Sequence, residues 1–243
     1  MKIIFLGTNG WYGTQTGNTT CTFVDSKDCY IIFDAGDGIY KAKEYITENK
    51  PVYLFLSHLH LDHISGLHIF PSFTKEREIH IILEKGNRDL LKSILRHPFM
   101  VPFKNDPFFY EILEEKYDEP LSFECLKLKH ADPAMGYRIY LENKIIAYCL
   151  DTGICDNVYK LSQNADILIT ECSMLPDISN QEWGHLNPEE AAEIAKKSQV
   201  KKMIMTHMSV SYKSVEERKK AEKIAQKIFK NSLVAEDGLI IKI

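Results

Sequence analysis

A group of histidines directly after a short apolar segment constrains this chain more than any other feature. Residues 52–56 are wholly apolar or aromatic, which is typical of a strand buried on both faces. Three histidines and one aspartate then fall within six positions, namely His58, His60, Asp62 and His63. In an extended backbone His58 and His60 project to the same side, and a turn beyond them brings Asp62 and His63 to the same space. One tetrahedral zinc ion takes four ligands in all. If other parts of the chain supply further ligands, the four candidates in this segment are more than one ion needs, so the pattern predicts two metal ions.

Three further polar residues have the same character, because each directly follows a predicted strand. His130 follows residues 121–129, Asp151 follows residues 144–150, and His207 follows residues 202–206. Rigid strands hold the residues at their ends at fixed separations, as a metal site at a sheet edge requires. A single histidine after a strand is usually structural and a single Asp-Thr-Gly is usually a turn, so the hypothesis depends on their joint occurrence.

The rest of the pattern predicts sheets covered by helices in one continuous domain, residues 1–243, without a linker or repeat. Strands are predicted at 3–6, 20–24, 30–33, 52–56, 79–83, 166–170, 202–206 and 239–243, with helices at 38–46, 87–95, 188–197 and 214–229. Residues 110–150 are predicted to form strands, with a hairpin turn at Glu142-Asn143. Asn187, Pro188 and two glutamates mark the start of one helix.

Composition limits the classes of function. Apolar residues make up 44% and charged residues 26% of 243 residues, as in an ordinary folded protein, and the net charge of −4 excludes a strongly basic surface that coats nucleic acid. No apolar run approaches the roughly 18 residues of a membrane span, so no membrane partner is expected. The apolar stretch near the N-terminus, residues 3–6, is too short for a secretory signal. The six cysteines include no C-x-x-C pair. We therefore expect reduced thiols and a cytoplasmic protein.

The ordered set of His58, His60, Asp62, His63, His130, Asp151 and His207 resembles the metallo-β-lactamase superfamily of dinuclear metal hydrolases. Asp34, within residues 31–36, matches the family's first motif, an aspartate that supports the metal loop. The resemblance implies a four-layer αββα sandwich. It also implies one metal on His58, His60 and His130, a second on Asp62, His63 and His207, and Asp151 bridging both. Zinc suits such ligands best, and manganese or iron is also accepted.

Other motifs are similar to the phosphodiesterase branch that contains the tRNA 3′-processing ribonuclease Z. They are residues 5–8, 62–67, 136–139 and 151–153. In that branch, Glu171 would orient His185, which would contact the scissile phosphate or protonate the leaving oxygen. Asp62 would accept the proton of the attacking water. Leu186 replaces the small hydroxyl residue that usually follows the histidine corresponding to His185. True β-lactamases have arginine or cysteine at the position of His63, which argues against antibiotic hydrolysis.

One departure concerns the substrate. The ribonuclease has a long tRNA-gripping arm between its third histidine and its bridging aspartate, whereas Asp151 lies only 21 positions after His130. The apolar segment 96–103 suggests a lid or a dimer contact instead, with the role of residues 96–110 open. His68, His80 and His97 are expected to be structural or exposed.

The resulting hypothesis is a phosphodiesterase that cleaves a small or single-stranded phosphodiester through a metal-bridging hydroxide. The alternatives are a tRNA 3′-processing endoribonuclease without the long arm, a lactonase or thioesterase, and a binding protein with a vestigial site. Redox di-iron chemistry is disfavoured because that branch usually has a glutamate at one loop ligand. RNA is a possible partner, and a homodimer is expected by analogy.

Overall fold

Two mixed β-sheets form the centre of the molecule in the computed structural model, which describes residues 1–74, 77–119 and 121–243. The strands of the first sheet are β1 (Lys2–Gly7), β2 (Cys21–Asp25), β3 (Tyr30–Phe33), β4 (Val52–Phe55), β5 (Ile79–Glu84) and β6 (Phe108–Ile112). Those of the second are β7 (Lys116–Tyr117), β8 (Phe123–Leu128), β9 (Ala134–Leu141), β10 (Lys144–Cys149), β11 (Ile167–Cys172), β12 (Lys202–Met208) and β13 (Ser232–Val234); β14 (Ile240–Lys242) returns to the first sheet. The strand orders are β14-β1-β2-β3-β4-β5-β6 and β13-β12-β11-β10-β9-β8-β7.

Helices lie outside the two sheets. They are α1 (Leu61–Ile64), α2 (Pro71–Thr74), α3 (Arg88–Ile94), α4 (Asp156–Ser162), α5 (Pro188–Lys197) and α6 (Val215–Ile228), with 3₁₀ segments at Asp37–Glu44 and Ser65–His68. Within the described part of the chain, no helix combines the length and the apolar character needed to cross a membrane.

Three apolar clusters divide the molecule into four layers. Alternate residues of β1 face opposite ways, so that Ile3 and Phe5 pack between the sheets whereas Ile4 and Leu6 pack under the helices of the first sheet. Between the sheets, the Phe33 and Tyr148 rings stack with centroids 4.4 Å apart. A third cluster joins the second sheet to α4, α5 and α6. These layers confirm the αββα sandwich.

Helix α5 shows how local sequence fixes an element of the outer layer. The Asn187 side chain accepts a hydrogen bond from the Glu190 N–H at 2.8 Å, and the Glu190 carboxylate accepts one from the Asn187 N–H at 3.1 Å. Pro188 occupies the first turn, where its missing N–H costs nothing. Ala191 and Ile194 are buried on the face toward the sheet. The helix therefore begins and ends where the sequence predicts.

Most predicted elements are confirmed, and the exceptions are short. The hairpin turn at Glu142-Asn143 joins β9 and β10, with positive φ at both residues. Residues 38–46, predicted as a helix, form the 3₁₀ segment Asp37–Glu44. Strand β6 begins two residues before the stretch 110–150 that was predicted to form strands, and α4 was not predicted. As an edge strand with exposed residues on both faces, β6 lacks a clean alternation, and seven residues are too few for helical periodicity to show.

The cysteines and the isolated histidines agree with the sequence analysis. All six cysteines are free thiols, five of them buried. His80 lies in β5 between Glu78 and Tyr110, whereas His68 and His97 are exposed.

Candidate metal centre

The ends of several strands meet at one edge of the sandwich and bring seven predicted ligands together. Asp34 directly follows β3, and His58 lies three residues after β4. In the second sheet, β8 and β10 run parallel because each pairs antiparallel with β9, and His130 and Asp151 follow these two strands. The last histidine, His207, lies near the end of β12, which is parallel to β10 through β11.

The ligand atoms form two groups, within each of which they lie within 4.8 Å of one another. The first cluster contains His58, His60, His130 and Asp151, and the second cluster contains Asp62, His63 and His207. The groups coincide with the two sets that the family resemblance implies. The backbone has positive φ at Asp34, Asp151 and His207, at 55°, 52° and 49°. Non-glycine residues seldom adopt this conformation, and it concentrates at functional sites.

The second cluster is closely surrounded by carboxylates. The fully buried His63 has its Nδ1 2.9 Å from Asp34 Oδ2, and its Nε2 lies 3.6 Å from Asp151 Oδ1. His207 Nε2 lies 3.2 Å from Asp62 Oδ2 and 3.2 Å from Asp151 Oδ1. Burial disfavours the charge on His63, but Asp34 and Asp151 outweigh it and raise its pKa to about 10. Asp151 likewise raises the pKa of His207 against the effect of burial.

The first cluster is composed of imidazoles with few partners. Burial and the neighbouring histidines lower the pKa of His58, and burial lowers that of His130. The Nε2 atoms of both lie 3.8 Å from Asp151 Oδ2. Four buried atoms here have no hydrogen-bond partner among the residues that the structure describes: His58 Nε2, His130 Nδ1, His130 Nε2 and Asp151 Oδ1, although the last lies near His207. Such orphaned atoms are rare in folded proteins, and neutral imidazoles beside a carboxylate fit a divalent ion.

Asp34 connects the metal-binding loop to the core between the sheets. Its carboxylate, fully buried, accepts hydrogen bonds from the Ser57 N–H at 2.8 Å and from the Tyr148 hydroxyl at 2.7 Å, in addition to its contact with His63. The position expected from the first family motif is therefore confirmed. Since a metal-binding imidazole needs its other nitrogen fixed, this contact orients His63.

Asp132 makes the equivalent contact in the first cluster, and it was not predicted from the sequence. Its Oδ2 lies 2.8 Å from His60 Nε2, and the Asp132 side chain is 63% exposed. The only signal in the sequence is an acidic residue two positions after His130, which is too common a feature to be informative.

Beside the first cluster, His185 and Glu171 form the predicted pair. His185 Nδ1 lies 2.8 Å from Glu171 Oε1, and the His185 and His130 rings are 5.1 Å apart. Glu171 is fully buried and also accepts hydrogen bonds from the backbone N–H groups of Thr152, Ser173 and Leu186. Burial opposes the charge on His185, but Glu171 outweighs it and raises the His185 pKa. Leu186, the residue that departs from the family pattern, is buried and contributes its N–H to this pair.

The two clusters open into a cavity of about 660 Å³. Its lining includes His60, Asp62, His130, Asp151, His185 and His207, together with Gly10, Trp11, Leu61, Ser173, Trp183, Ser209 and Val210. Among the described residues that line it there is no lysine or arginine. Residues 96–103 do not belong to this lining: Met100 packs under the first sheet and Phe99 is exposed, and a lid or dimer contact stays a prediction. Trp11 was not predicted, because its approach depends on how a distant loop packs.

Known proteins share this fold. The ribonuclease Z of Enterococcus faecalis is 26% identical, and the alignment covers all of this chain and 97% of the relative. That alignment spans 312 positions against the 243 residues here, so the relative has several dozen residues without a counterpart. The metallo-beta-lactamase fold protein YhfI from Bacillus subtilis has a TM-score of 0.84 at 22% identity over 99% of this chain and 98% of its own. The short form of human tRNase Z has a TM-score of 0.79 at 22% identity, over 100% of this chain and 99% of its own.

A family model described as the beta-lactamase superfamily domain matches residues 30–208, most of the chain and all seven ligands. The fold, the ordered ligands and this match agree, and the chain belongs to the beta-lactamase superfamily.

Proposed function

We propose that this protein is a dinuclear metal-dependent phosphodiesterase that hydrolyses a small or single-stranded phosphodiester. The observation that supports this most strongly is the position of Asp151 between two ligand clusters, beside the His185–Glu171 pair. Its Oδ2 atom is directed to the first cluster, 3.8 Å from His58 and His130. Its Oδ1 atom is directed to the second, 3.2 Å from His207. One carboxylate can therefore serve both ions.

The ligand assignment follows from these two clusters. His58, His60 and His130 would hold one divalent ion, Asp62, His63 and His207 the other, and Asp151 both. Zinc is the ion that an imidazole-rich set favours, with manganese or iron(II) as further candidates. Such ions polarise a phosphoryl oxygen and lower the pKa of water toward neutrality.

Asp62 is the proposed proton acceptor. The hydrogen bonds that the described residues make to it, from the Trp11 N–H and from His207, fall on Oδ2. Its other oxygen, Oδ1, is then available to a water molecule in the cavity that Asp62 lines. Hydrogen bonding to His207 lowers the Asp62 pKa against the opposing effect of burial, which keeps this group ionised.

His185 is the proposed proton donor to the leaving oxygen, with Glu171 as its positioning residue. Because Glu171 raises the His185 pKa, the imidazole is protonated over more of the neutral pH range than a free histidine. A donor on the cavity wall beside the first cluster suits phosphodiester hydrolysis. A lactonase or thioesterase would not need this pair.

The cavity favours a small substrate over tRNA. Only 21 positions separate His130 from Asp151, and the described lining has no lysine or arginine to bind flanking phosphates. The second candidate, a tRNA 3′-processing endoribonuclease without an arm, is supported by the similarity to ribonuclease Z along 97% of that relative.

The test is a substrate comparison with the metal-loaded full chain. We expect hydrolysis of bis(p-nitrophenyl) phosphate that a chelator abolishes and zinc or manganese restores, with no turnover of a panel of lactones and thioesters. His97→Ala, an exposed histidine outside the cavity, serves as the control variant. Turnover of an ester with none of the phosphodiester would contradict the proposal, and specific release of a 3′ trailer from precursor tRNA would favour the second candidate. A homodimer and a cytoplasmic location stay predictions.

A further inference from the structure

Both tryptophans of the chain line the one cavity that contains the ligand clusters. The sequence has two tryptophans, and they are 76% and 56% exposed at Trp11 and Trp183. Leu61, on the same lining, is 75% exposed. Isolated exposed apolar side chains are ordinary, but several around one polar centre mark a binding surface.

The backbone of Trp11 is fixed beside the second cluster. Its backbone N–H donates to Asp62 Oδ2 at 2.6 Å, and its φ of 66° is unusual for a bulky residue. The preceding Gly10 passes so close to His207 that a Cβ there would lie 2.5 Å from the imidazole Cε1. The chain therefore accepts an unfavourable backbone conformation that places an indole at the cavity, a feature that concentrates at functional sites.

Trp183 is held in a similar way beside the first cluster. Its carbonyl oxygen accepts a hydrogen bond from the N–H of Ala131, the residue after His130, at 3.0 Å. Its own N–H donates to Asn180 Oδ1 at 3.2 Å. The following Gly184 has φ of 80°, and a Cβ there would lie 2.0 Å from the carbonyl oxygen of Lys129. Each indole is thus anchored next to a different ligand cluster.

The side chains of this lining favour a ligand with a flat aromatic ring and few phosphates. Indole faces bind flat rings by stacking, and every nucleobase offers such a face. The described lining has no lysine or arginine, so it offers nothing to the additional phosphates of a long nucleic acid. An aliphatic ester would gain no stacking from the two aromatic rings.

We propose that Trp11 and Trp183 form a nucleobase-binding site, and that the substrate is a small nucleotide phosphodiester whose base stacks there while its phosphate lies at the ligand clusters. This inference rests on the proposed phosphodiesterase function and specifies its substrate class.

Tryptophan fluorescence tests the inference directly, because both fluorophores line the cavity. The metal-loaded full chain is titrated with adenosine 5′-monophosphate and with ribose 5-phosphate, which lacks only the base. We expect the first to quench the fluorescence and to bind at least about tenfold more tightly, since stacking on an aromatic side chain contributes substantially per base. Calorimetry with Trp11→Leu and Trp183→Leu should show weaker binding of the nucleotide by about 5- to 100-fold in at least one variant, with ribose 5-phosphate little changed.

Controls separate stacking from general damage. Phe99→Leu removes an exposed aromatic ring outside the cavity and should leave both affinities unchanged. Trp11→Phe and Trp183→Phe keep a ring and should retain most of the preference for the nucleotide, even if the leucine variants fold poorly.

Equal binding of the two phosphates would overturn the inference, and continued hydrolysis of bis(p-nitrophenyl) phosphate would show that the phosphodiesterase proposal survives it. Tighter binding of octyl phosphate than of the nucleotide would also overturn it, in favour of an aliphatic substrate. A strongly salt-dependent preference for a single-stranded oligonucleotide over the mononucleotide would contradict the small substrate. Absence of both hydrolysis and phosphate binding would instead contradict the proposed function itself.

Discussion

The two ligand clusters share one carboxylate but differ in how the protein supports them. The second cluster lies against the core, where His63 is fully buried and contacts Asp34, itself fixed by Ser57 and Tyr148. The first cluster lies nearer the surface, with His60 38% exposed and held by the exposed Asp132. Three of its buried nitrogens, His58 Nε2 and both of His130, have no hydrogen-bond partner in the described part of the chain, whereas those of His63 contact carboxylates.

This difference indicates two ways of preparing a metal site. In the second cluster, opposite charges stabilise each other without an ion, so its geometry is part of the fold. In the first cluster, three buried nitrogens, His58 Nε2 and both ring nitrogens of His130, find no hydrogen-bond partner among the described residues, so a bound ion would provide what the protein does not. We therefore expect substitutions at the second cluster to affect stability, and substitutions at the first to affect metal affinity.

The largest effect is expected where the clusters meet. Asp151→Asn removes the charge that both clusters share and should lower kcat by about a thousandfold or more, because bound ions contribute several kcal/mol to the transition state. Phosphodiesterase assays and metal analysis of the same sample check this. Asp106→Asn, an exposed aspartate outside the cavity, is the matched control. Near-normal activity with full metal content would contradict the proposal that Asp151 serves both clusters.

The second cluster is tested by Asp34→Asn. The amide keeps the shape but leaves the buried His63 without its principal counter-charge, and breaking such a pair costs about 3 kcal/mol in the free energy of unfolding. Urea denaturation in the presence of a chelator measures this without any contribution from metal. An unchanged unfolding midpoint would show that the charges of the second cluster are not part of the fold.

The first cluster is tested by Asp132→Asn. Because Asp132 is exposed, the unfolding midpoint in chelator should not change. The contact with His60 orients a ligand, so the affinity for one of the two ions should fall by about 10- to 100-fold. Calorimetric metal titration distinguishes the sites. Equal weakening of both ions, or a loss of stability comparable to that of Asp34→Asn, would contradict the distinction between the clusters.

The smallest effect concerns the proton donor beside the first cluster. Glu171 raises the His185 pKa, so hydrolysis that needs protonated His185 should decline as the pH rises through that raised value. Glu171→Gln removes the cause, and the alkaline limb of the kcat profile should then move to lower pH. A profile that keeps its alkaline limb in place would show that His185 is not the titrating donor.

The sequence indicated which polar residues come together at one edge of the sandwich, and it did so for a physical reason. His130, Asp151 and His207 lie at or just after strand ends, the other four follow the strand at 52–56, and apolar runs such as 52–56 and 202–206 are strong signals. Elements outside those runs were harder to predict, as α4 shows. Long-range packing was not predictable, because the Trp11 N–H reaches Asp62 across 51 positions of sequence and Asp132 meets His60 across 72. The division of the ligands between two ions came from family resemblance rather than from spacing.

Anomalous diffraction at the zinc edge, from crystals of the zinc-loaded full chain, tests the central claim most directly. We predict two peaks, one within about 2.0–2.2 Å of donor atoms of His58, His60 and His130, and the other equally close to Asp62, His63 and His207, with Asp151 contacting both. A single peak, or peaks that avoid either cluster, would contradict the account.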